Sequence, residues 1–135
     1  MRNFGLIGKS LVHSFSKDYF NKKFKEENID ALYSNFELEE IPSLKELFSD
    51  YKLSGLNVTI PFKQKVISHL DSLDEISHEI NAVNTIKPFF DNNKLVSLKG
   101  YNTDVYGFQQ MVKPYLKSHH TKALILGTGG ASKAV

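Results

Sequence analysis

The sequence predicts an α/β fold built on a mixed, mostly parallel open sheet flanked by helices, and two observations carry that prediction. First, apolar and β-branched runs at Asn3 to Gly8, Ala31 to Glu37 and Leu53 to Ile60 alternate with amphipathic stretches at Lys17 to Glu27 and Leu38 to Tyr51, the order that parallel βαβ units require. Second, the alternation stops at Asn81. Two β-rich runs, Ala82 to Phe90 and Lys94 to Lys99, then flank Asp91-Asn92-Asn93, which is turn chemistry. A hairpin there puts one antiparallel strand into an otherwise parallel sheet.

The elements follow in order. Phe4, Leu6 and Ile7 make the first strand apolar and Gly8 ends it. The loop Lys9 to Ser16 carries His13, Ser14 and Ser16, and Ser16 suits the N-cap of the first helix, whose apolar face is Tyr19, Phe20 and Phe24 and which Asn28 stops. Ile41, Leu44, Leu47 and Phe48 share one side of the second helix. Asn57 to Ile60 closes the third strand, and Pro61 suits the first turn of a helix reaching about Leu70, with Val66, Ile67 and Leu70 inward. A short helical piece is expected over Ser72 to Glu79. After the hairpin, Gly100-Tyr101-Asn102-Thr103-Asp104 supplies capping groups for a helix to about Leu116, with Val105, Phe108, Val112 and Tyr115 inward. Past a polar break at Ser118 to Thr121, Ala123 to Leu126 reads as a new buried strand that runs into G-T-G-G-A-S.

Composition narrows the function. The 135 residues, 41% hydrophobic, suffice for one ordinary core and part of a second. Seventeen Lys+Arg against fifteen Asp+Glu leave a dispersed net charge of +2, with no basic footprint for nucleic acid or an anionic membrane. The absence of cysteine excludes disulfides and thiolate metal sites and suits a reducing cytoplasm. The N-terminus opens a strand rather than a signal region and no apolar run is long enough to span a bilayer, so the reading is cytoplasmic. The five histidines lack zinc spacing; His119-His120 reads as a surface pair, and no metal is expected.

Several residues bear chemistry, each with a structural alternative. Lys63 falls in the first turn of a helix, where the positive end of the dipole disfavours a second positive charge and makes a lysine a usable acid/base; a solvated surface lysine explains it as well. Gly127-Thr128-Gly129-Gly130-Ala131 follows a predicted strand, where glycines let backbone amides approach a phosphate. A Walker A loop would need Gly at Ser132 and Ser or Thr at Ala134, whereas the dinucleotide fingerprint is met except that Ser132 replaces its third glycine. On that basis the first strand and glycine loop of a Rossmann domain are expected here. Asn102, Thr103 and Asp104 are explained by helix capping, Ser14 and Ser16 by turn and cap roles, and Asn84-Thr85 as polar strand positions. Their joint placement at strand ends is where ligands of α/β sheets gather.

Five motifs in order, H-S-F-S at His13 to Ser16, N-V-T-I-P-F-K at Asn57 to Lys63, A-V-N-T at Ala82 to Thr85, N-T-D-V-Y-G at Asn102 to Gly107 and G-T-G-G-A at Gly127 to Ala131, resemble those of shikimate dehydrogenases. The resemblance implies an oxidoreductase that reduces 3-dehydroshikimate to shikimate with NADPH, in aromatic amino-acid (chorismate) biosynthesis. It divides the chain into a substrate-binding catalytic domain at 1–103 and, at 104–135, a linker helix with the start of a truncated NADP-binding domain. It implies that Ser14 and Ser16 bind the substrate carboxylate, with Thr59 in the same pocket. Lys63 resembles the catalytic lysine and Asp104 its acidic partner, with Asn84 and Asp104 on the ring hydroxyls. Gly127, Thr128, Gly129, Gly130 and Ala131 would hold the cofactor pyrophosphate, with Glu75 as a further acid near the cofactor. Asp104 favours the ammonium and opposes the dipole, which leaves the direction of any net shift at Lys63 open. The residues that would separate NAD from NADP lie beyond Val135, so NADP rests on the resemblance.

The chain departs from the family pattern at Ser10 and Lys17, where proline is usual, and at Phe20, where histidine is usual, while Asn21 matches. Its length leaves most of the cofactor domain out, so the 135 residues read as a fragment, expected to be inactive alone. The implied partner is a small-molecule substrate, with no nucleic acid or membrane, and a homodimer is compatible with the reading. Two alternatives stand beside it: the same fold with quinate preference, and a non-catalytic module that binds a hydroxylated ring acid.

Overall fold

A computed structural model describes residues 1–135. Its sheet contains β1 (Arg2–Gly8), β2 (Ala31–Glu37), β3 (Leu53–Val58), β4 (Ser72–Leu73), β5 (Thr85–Asp91) and β6 (Lys94–Tyr101), in the spatial order β2-β1-β3-β5-β6-β4. The β1–β2, β1–β3 and β4–β6 pairs are parallel, and β5 is antiparallel to both its neighbours. The predicted mixed sheet with one reversed strand is thus the observed one. The hairpin closes through Asn92 and Asn93 at φ 47° and 64°, the left-handed pair that a two-residue type I′ turn requires and that asparagine tolerates. Pro88 is accommodated in β5 because β3 pairs with that strand only at Thr85 and Ile86.

Helices cover both faces: α1 (Ser16–Glu26), α2 (Leu44–Asp50), α3 (Phe62–Lys65), α4 (Glu75–Ile80) and α5 (Asp104–Val112). Neighbouring residues of β1 point to opposite sides, so Ile7 enters the main core with Phe48, Leu56, Val58 and Phe62, while Leu6 joins Leu11 and Tyr33 beneath Phe20 and Phe24 of α1. No helix is long and apolar enough to cross a membrane.

The structure corrects several boundaries. α2 begins at Leu44 rather than Leu38: Pro42 disfavours helix at Ile41, and Ser43 supplies the cap by accepting from the Glu46 amide. β3 ends at Val58. Pro61, joined to Ile60 by a cis bond, stands before the helix, which is α-helical only to Lys65 and continues as a 3₁₀ turn at Val66–His69. The stretch read as helical from Ser72 splits into β4 and α4, with Asp74 capping α4 through the Ser77 amide. Ser16 is the first residue of α1, not its cap: Phe15 holds that position and no side chain caps the helix. Tyr19 and Tyr115, expected inward, are 45% and 75% exposed, and the last helix turns 3₁₀ at Lys113–Tyr115.

The largest correction is at the C-terminal end. Ala123 to Leu126 forms no strand, and Leu124 and Leu126 are 83% and 87% exposed. An apolar run becomes a buried strand only when neighbouring strands accept its hydrogen bonds and cover its faces, and no strand of the sheet pairs with it.

Candidate active site

A cavity of about 480 Å³ opens between the loop after β1 and the C-terminal ends of the central strands, the position where ligands of such sheets bind. Bonds donated by backbone amides, two to carbonyls and one to a carboxylate, fix its walls. The Thr59 amide donates to the Ile7 carbonyl (2.9 Å), the Leu11 amide to Glu37 Oε1 (2.6 Å), and the Ser14 amide to the Leu11 carbonyl (2.9 Å). The cavity brings together Ser14, Ser16, Thr59, Lys63, Asn84 and Asp104, all of them singled out in the sequence. Ser14 lines the cavity, and its Oγ is buried with no hydrogen-bond partner in the chain, an unmet polar group at the cavity wall.

Lys63 Nζ donates to Asp104 Oδ2 at 2.6 Å, with the lysine side chain 14% and the aspartate 36% exposed. α3 has only four residues, so the nearest charge to the ammonium is this carboxylate rather than an extended helix dipole. Asn102, buried at 4% exposure, sets the carboxylate in place: its Oδ1 accepts from the amides of Asp104 (2.9 Å) and Val105 (3.3 Å), and its Nδ2 donates to the Ala82 carbonyl (3.0 Å). Of the three capping residues expected here, Asn102 alone caps with its side chain, and the product is a fixed Asp104. Asn84 Nδ2 donates to Asp104 Oδ1 (2.9 Å) and Thr103 Oγ1 (2.8 Å).

The glycine loop lies beside Lys63. Ile60, Pro61, Lys63, Gln64, Gly129 and Gly130 enclose a second hollow of about 290 Å³, and a Cβ at Gly130 would come within 2.7 Å of Lys63 Cβ. Ala131 shares a third hollow with Lys63 and Asp104. Gly127 has φ +132° and faces open space, as does Thr128, which is exposed. Glu75 is exposed in the first turn of α4 and lines none of these hollows. Three further residues of the site carried no individual role in the sequence reading. His13 lines the main cavity. Asn57 lines it too, and its polar side chain among the apolar residues of β3 was the available signal. Tyr33 is buried beneath Asn57, and burial pushes its phenol up to about 12, with the Ser16 hydroxyl opposing.

Residues 6–86 match the family model described as shikimate dehydrogenase substrate binding domain. The chain belongs to this family. It is 42% identical over 135 residues to a curated shikimate dehydrogenase (NADP(+)) of Pyrococcus abyssi and 40% identical over 135 residues to that of Aquifex aeolicus, covering 100% and 98% of this chain and 49% and 48% of those relatives. Among solved structures, a shikimate dehydrogenase from Peptoclostridium difficile superposes with a TM-score of 0.86 at 39% identity, covering 99% of this chain and 49% of that one. One from Thermus thermophilus, in complex with NADP(H) and shikimate, gives 0.80 at 28% identity, covering 100% and 50%. The chain spans about half the length of the curated relatives it matches.

Proposed function

We propose that this chain supplies the substrate-binding half of an NADP-dependent shikimate dehydrogenase, with residues 1–103 as the substrate domain and 104–135 as the linker helix and the opening of the cofactor domain. One observation carries the reading: a single cavity is lined both by the Lys63–Asp104 ion pair and by Ser14, whose hydroxyl has no partner in the chain. A hydroxylated ring acid has the matching polarity, a carboxylate for the serines and a carbonyl or hydroxyl for the lysine.

In this reading Ser14 and Ser16 donate to the carboxylate, Thr59 narrows the pocket, and Asp104 orients the ring hydroxyls, with Asn84 acting on them through the Asp104 carboxylate that it holds. Hydride addition to the ketone carbon leaves an alkoxide, and Lys63 Nζ gives it a proton; in the reverse direction the neutral amine takes the hydroxyl proton. Asp104 Oδ2 keeps Lys63 Nζ on target in both directions. NADPH, when bound, supplies the hydride. The residues fit it in part: Gly129 and Gly130 share one hollow with Lys63, and Ala131 shares another with Lys63 and Asp104, which brings the loop that would hold the pyrophosphate next to the two reacting side chains. The strand that would carry the loop is not formed, so Gly127 and Thr128 join the pyrophosphate grip only in an assembled cofactor domain. Glu75 would approach the cofactor only from outside these hollows. Reduction of 3-dehydroshikimate, and with it a place in aromatic amino-acid biosynthesis, belongs to the same proposal.

The test is a ¹⁵N NMR titration of the 135-residue chain with shikimate, with Lys63→Ala as control. Shifts at Ser14, Ser16, Asn84 and Asp104, saturating in the wild type and at least about ten-fold weaker in affinity in Lys63→Ala, are expected. A spectrum indifferent to millimolar shikimate would sink the assignment of this ligand to the cavity.

A further inference from the structure

Asn84 uses all of its hydrogen-bonding capacity on the protein. Its two Nδ2 protons go to Thr103 Oγ1 and Asp104 Oδ1, and its Oδ1 accepts from the Thr103 amide (3.0 Å) and from Thr85 Oγ1 (3.0 Å). The Thr103 amide can only donate, so the carbonyl end of Asn84 must face it and the NH₂ end must face Asp104. The same constraint propagates away from the site. A threonine hydroxyl has one proton; having given it to Asn84, Thr85 Oγ1 accepts from Asn57 Nδ2 (3.1 Å). Asn57 Oδ1 then accepts from the Tyr33 hydroxyl (2.8 Å).

The geometry points to Tyr33 and Thr85 as positioning residues: a part-buried relay Tyr33–Asn57–Thr85–Asn84–Asp104 crosses from β2 through β3 to β5 and ends on the carboxylate that Lys63 uses, holding its Oδ1. Asn84 holds one oxygen of the carboxylate, Oδ1, and Lys63 uses the other, Oδ2, so the bond from Asn84 sets the rotation of the group that Lys63 meets. Removing the Thr85 hydroxyl leaves Asn84 Oδ1 with one donor and Asn57 Nδ2 without its threonine acceptor, in a region where unmet polar groups are costly. The Tyr33 ring stacks on Phe20 (centroids 4.9 Å apart), so its hydroxyl can be deleted without emptying the core beneath α1.

The relay is read from the Asn84 side-chain amide in the ¹⁵N-labelled 135-residue chain, with proton exchange referenced to the backbone amides of β1, and from the shikimate dissociation constant. Thr85→Val is expected to speed Asn84 side-chain exchange at least about ten-fold relative to β1 and to weaken shikimate roughly five-fold, and Thr85→Ser to restore both. Tyr33→Phe, acting from the far end, is expected to speed the same exchange by about three-fold. Unchanged Asn84 exchange in a folded Thr85→Val chain overturns the proposal; should that variant not fold, unchanged exchange in Tyr33→Phe overturns it instead. The affinity arm rests on the functional reading above, whereas the exchange arm needs no ligand. A wild type that ignores shikimate therefore sinks that reading and leaves the relay to be decided by exchange alone.

Discussion

The sheet body at residues 2–101 and the tail at 113–135 contain similar apolar runs and treat them in opposite ways. Ile7, Val66, Val83 and Ile86 are fully buried in the first, while Leu124, Ile125 and Leu126 are 83%, 48% and 87% exposed in the second. Hydrophobicity is equal to the task in both; what differs is the presence of strands to pair with. Functional side chains follow the same division. Lys63, Asn84 and Asp104 are fixed by bonds to the sheet and its caps, whereas the glycine loop meets the body where Gly130 touches Lys63 and where the buried Ala134 after it packs beside α5. The sharpest way to break this contrast is a pair of alanines. Phe48→Ala, at 1% exposure, is expected to cost about 3–5 kcal/mol, and Leu126→Ala to stay within about 0.5 kcal/mol, both by urea unfolding. A large loss at Leu126 would mean that the tail packs in solution as it does not here.

Glycines sharpen the same comparison. A Cβ at Gly100 would sit 2.7 Å from Leu70 Cδ1 and Val83 Cγ2, so Gly100→Ala is expected to cost about 1–3 kcal/mol by overpacking. Gly129→Ala meets nothing within 4 Å and is expected to leave the unfolding midpoint where it is.

Much of the body was legible because its signals are local. β2 has the bounds its sequence predicts, and Asp91-Asn92-Asn93 announces the hairpin by turn chemistry, although Asp91 is the last residue of β5 and Asn92-Asn93 alone make the turn. α2 was drawn six residues too early because apolar spacing at Ile41 looked helical, although Pro42 weighed against it. Ala123 to Leu126 failed because a strand's existence depends on partners that its own residues do not encode. In the site, Lys63 and Asp104 were paired by resemblance to a family. Helix rules alone left a surface lysine and a capping aspartate. Tyr33, Asn57 and Thr85 were invisible as a set, since their bonds join strands 24 and 28 residues apart and are specified by sheet register.

Tyr33 gives the body an alkaline signature. Burial raises its phenol from 10.0 to about 12, so folding favours the protonated form; the stability this provides is fully present below pH 10 and is lost as pH rises toward 12. The loss is expected to be about 2 kcal/mol across that window and to be absent in Tyr33→Phe, as read from urea midpoints at pH 9 to 12.

The acid side should belong to the body as well, and by a smaller amount. The tail has no Asp or Glu, so its charge at low pH comes only from lysines and histidines. In the body, Asp71 Oδ2 accepts from the Leu98 amide (2.7 Å) and Oδ1 from Lys45 Nζ (3.0 Å), pinning the segment before β4 to β6 and to α2. The Leu98 amide first, and Lys45 second, hold its carboxyl below the ordinary value of 3.8. A depressed carboxylate stabilises the fold above its unfolded value, and the contribution drains away as pH falls through the folded one. Asp71→Asn should therefore lower the urea midpoint at pH 6 and flatten its decline below pH 4, with solvent exposure keeping the difference modest. Equal slopes for the two proteins below pH 4 would mean that the acid sensitivity of the body lies at other carboxylates, and that the Leu98 bond holds Asp71 in place without favouring its charge.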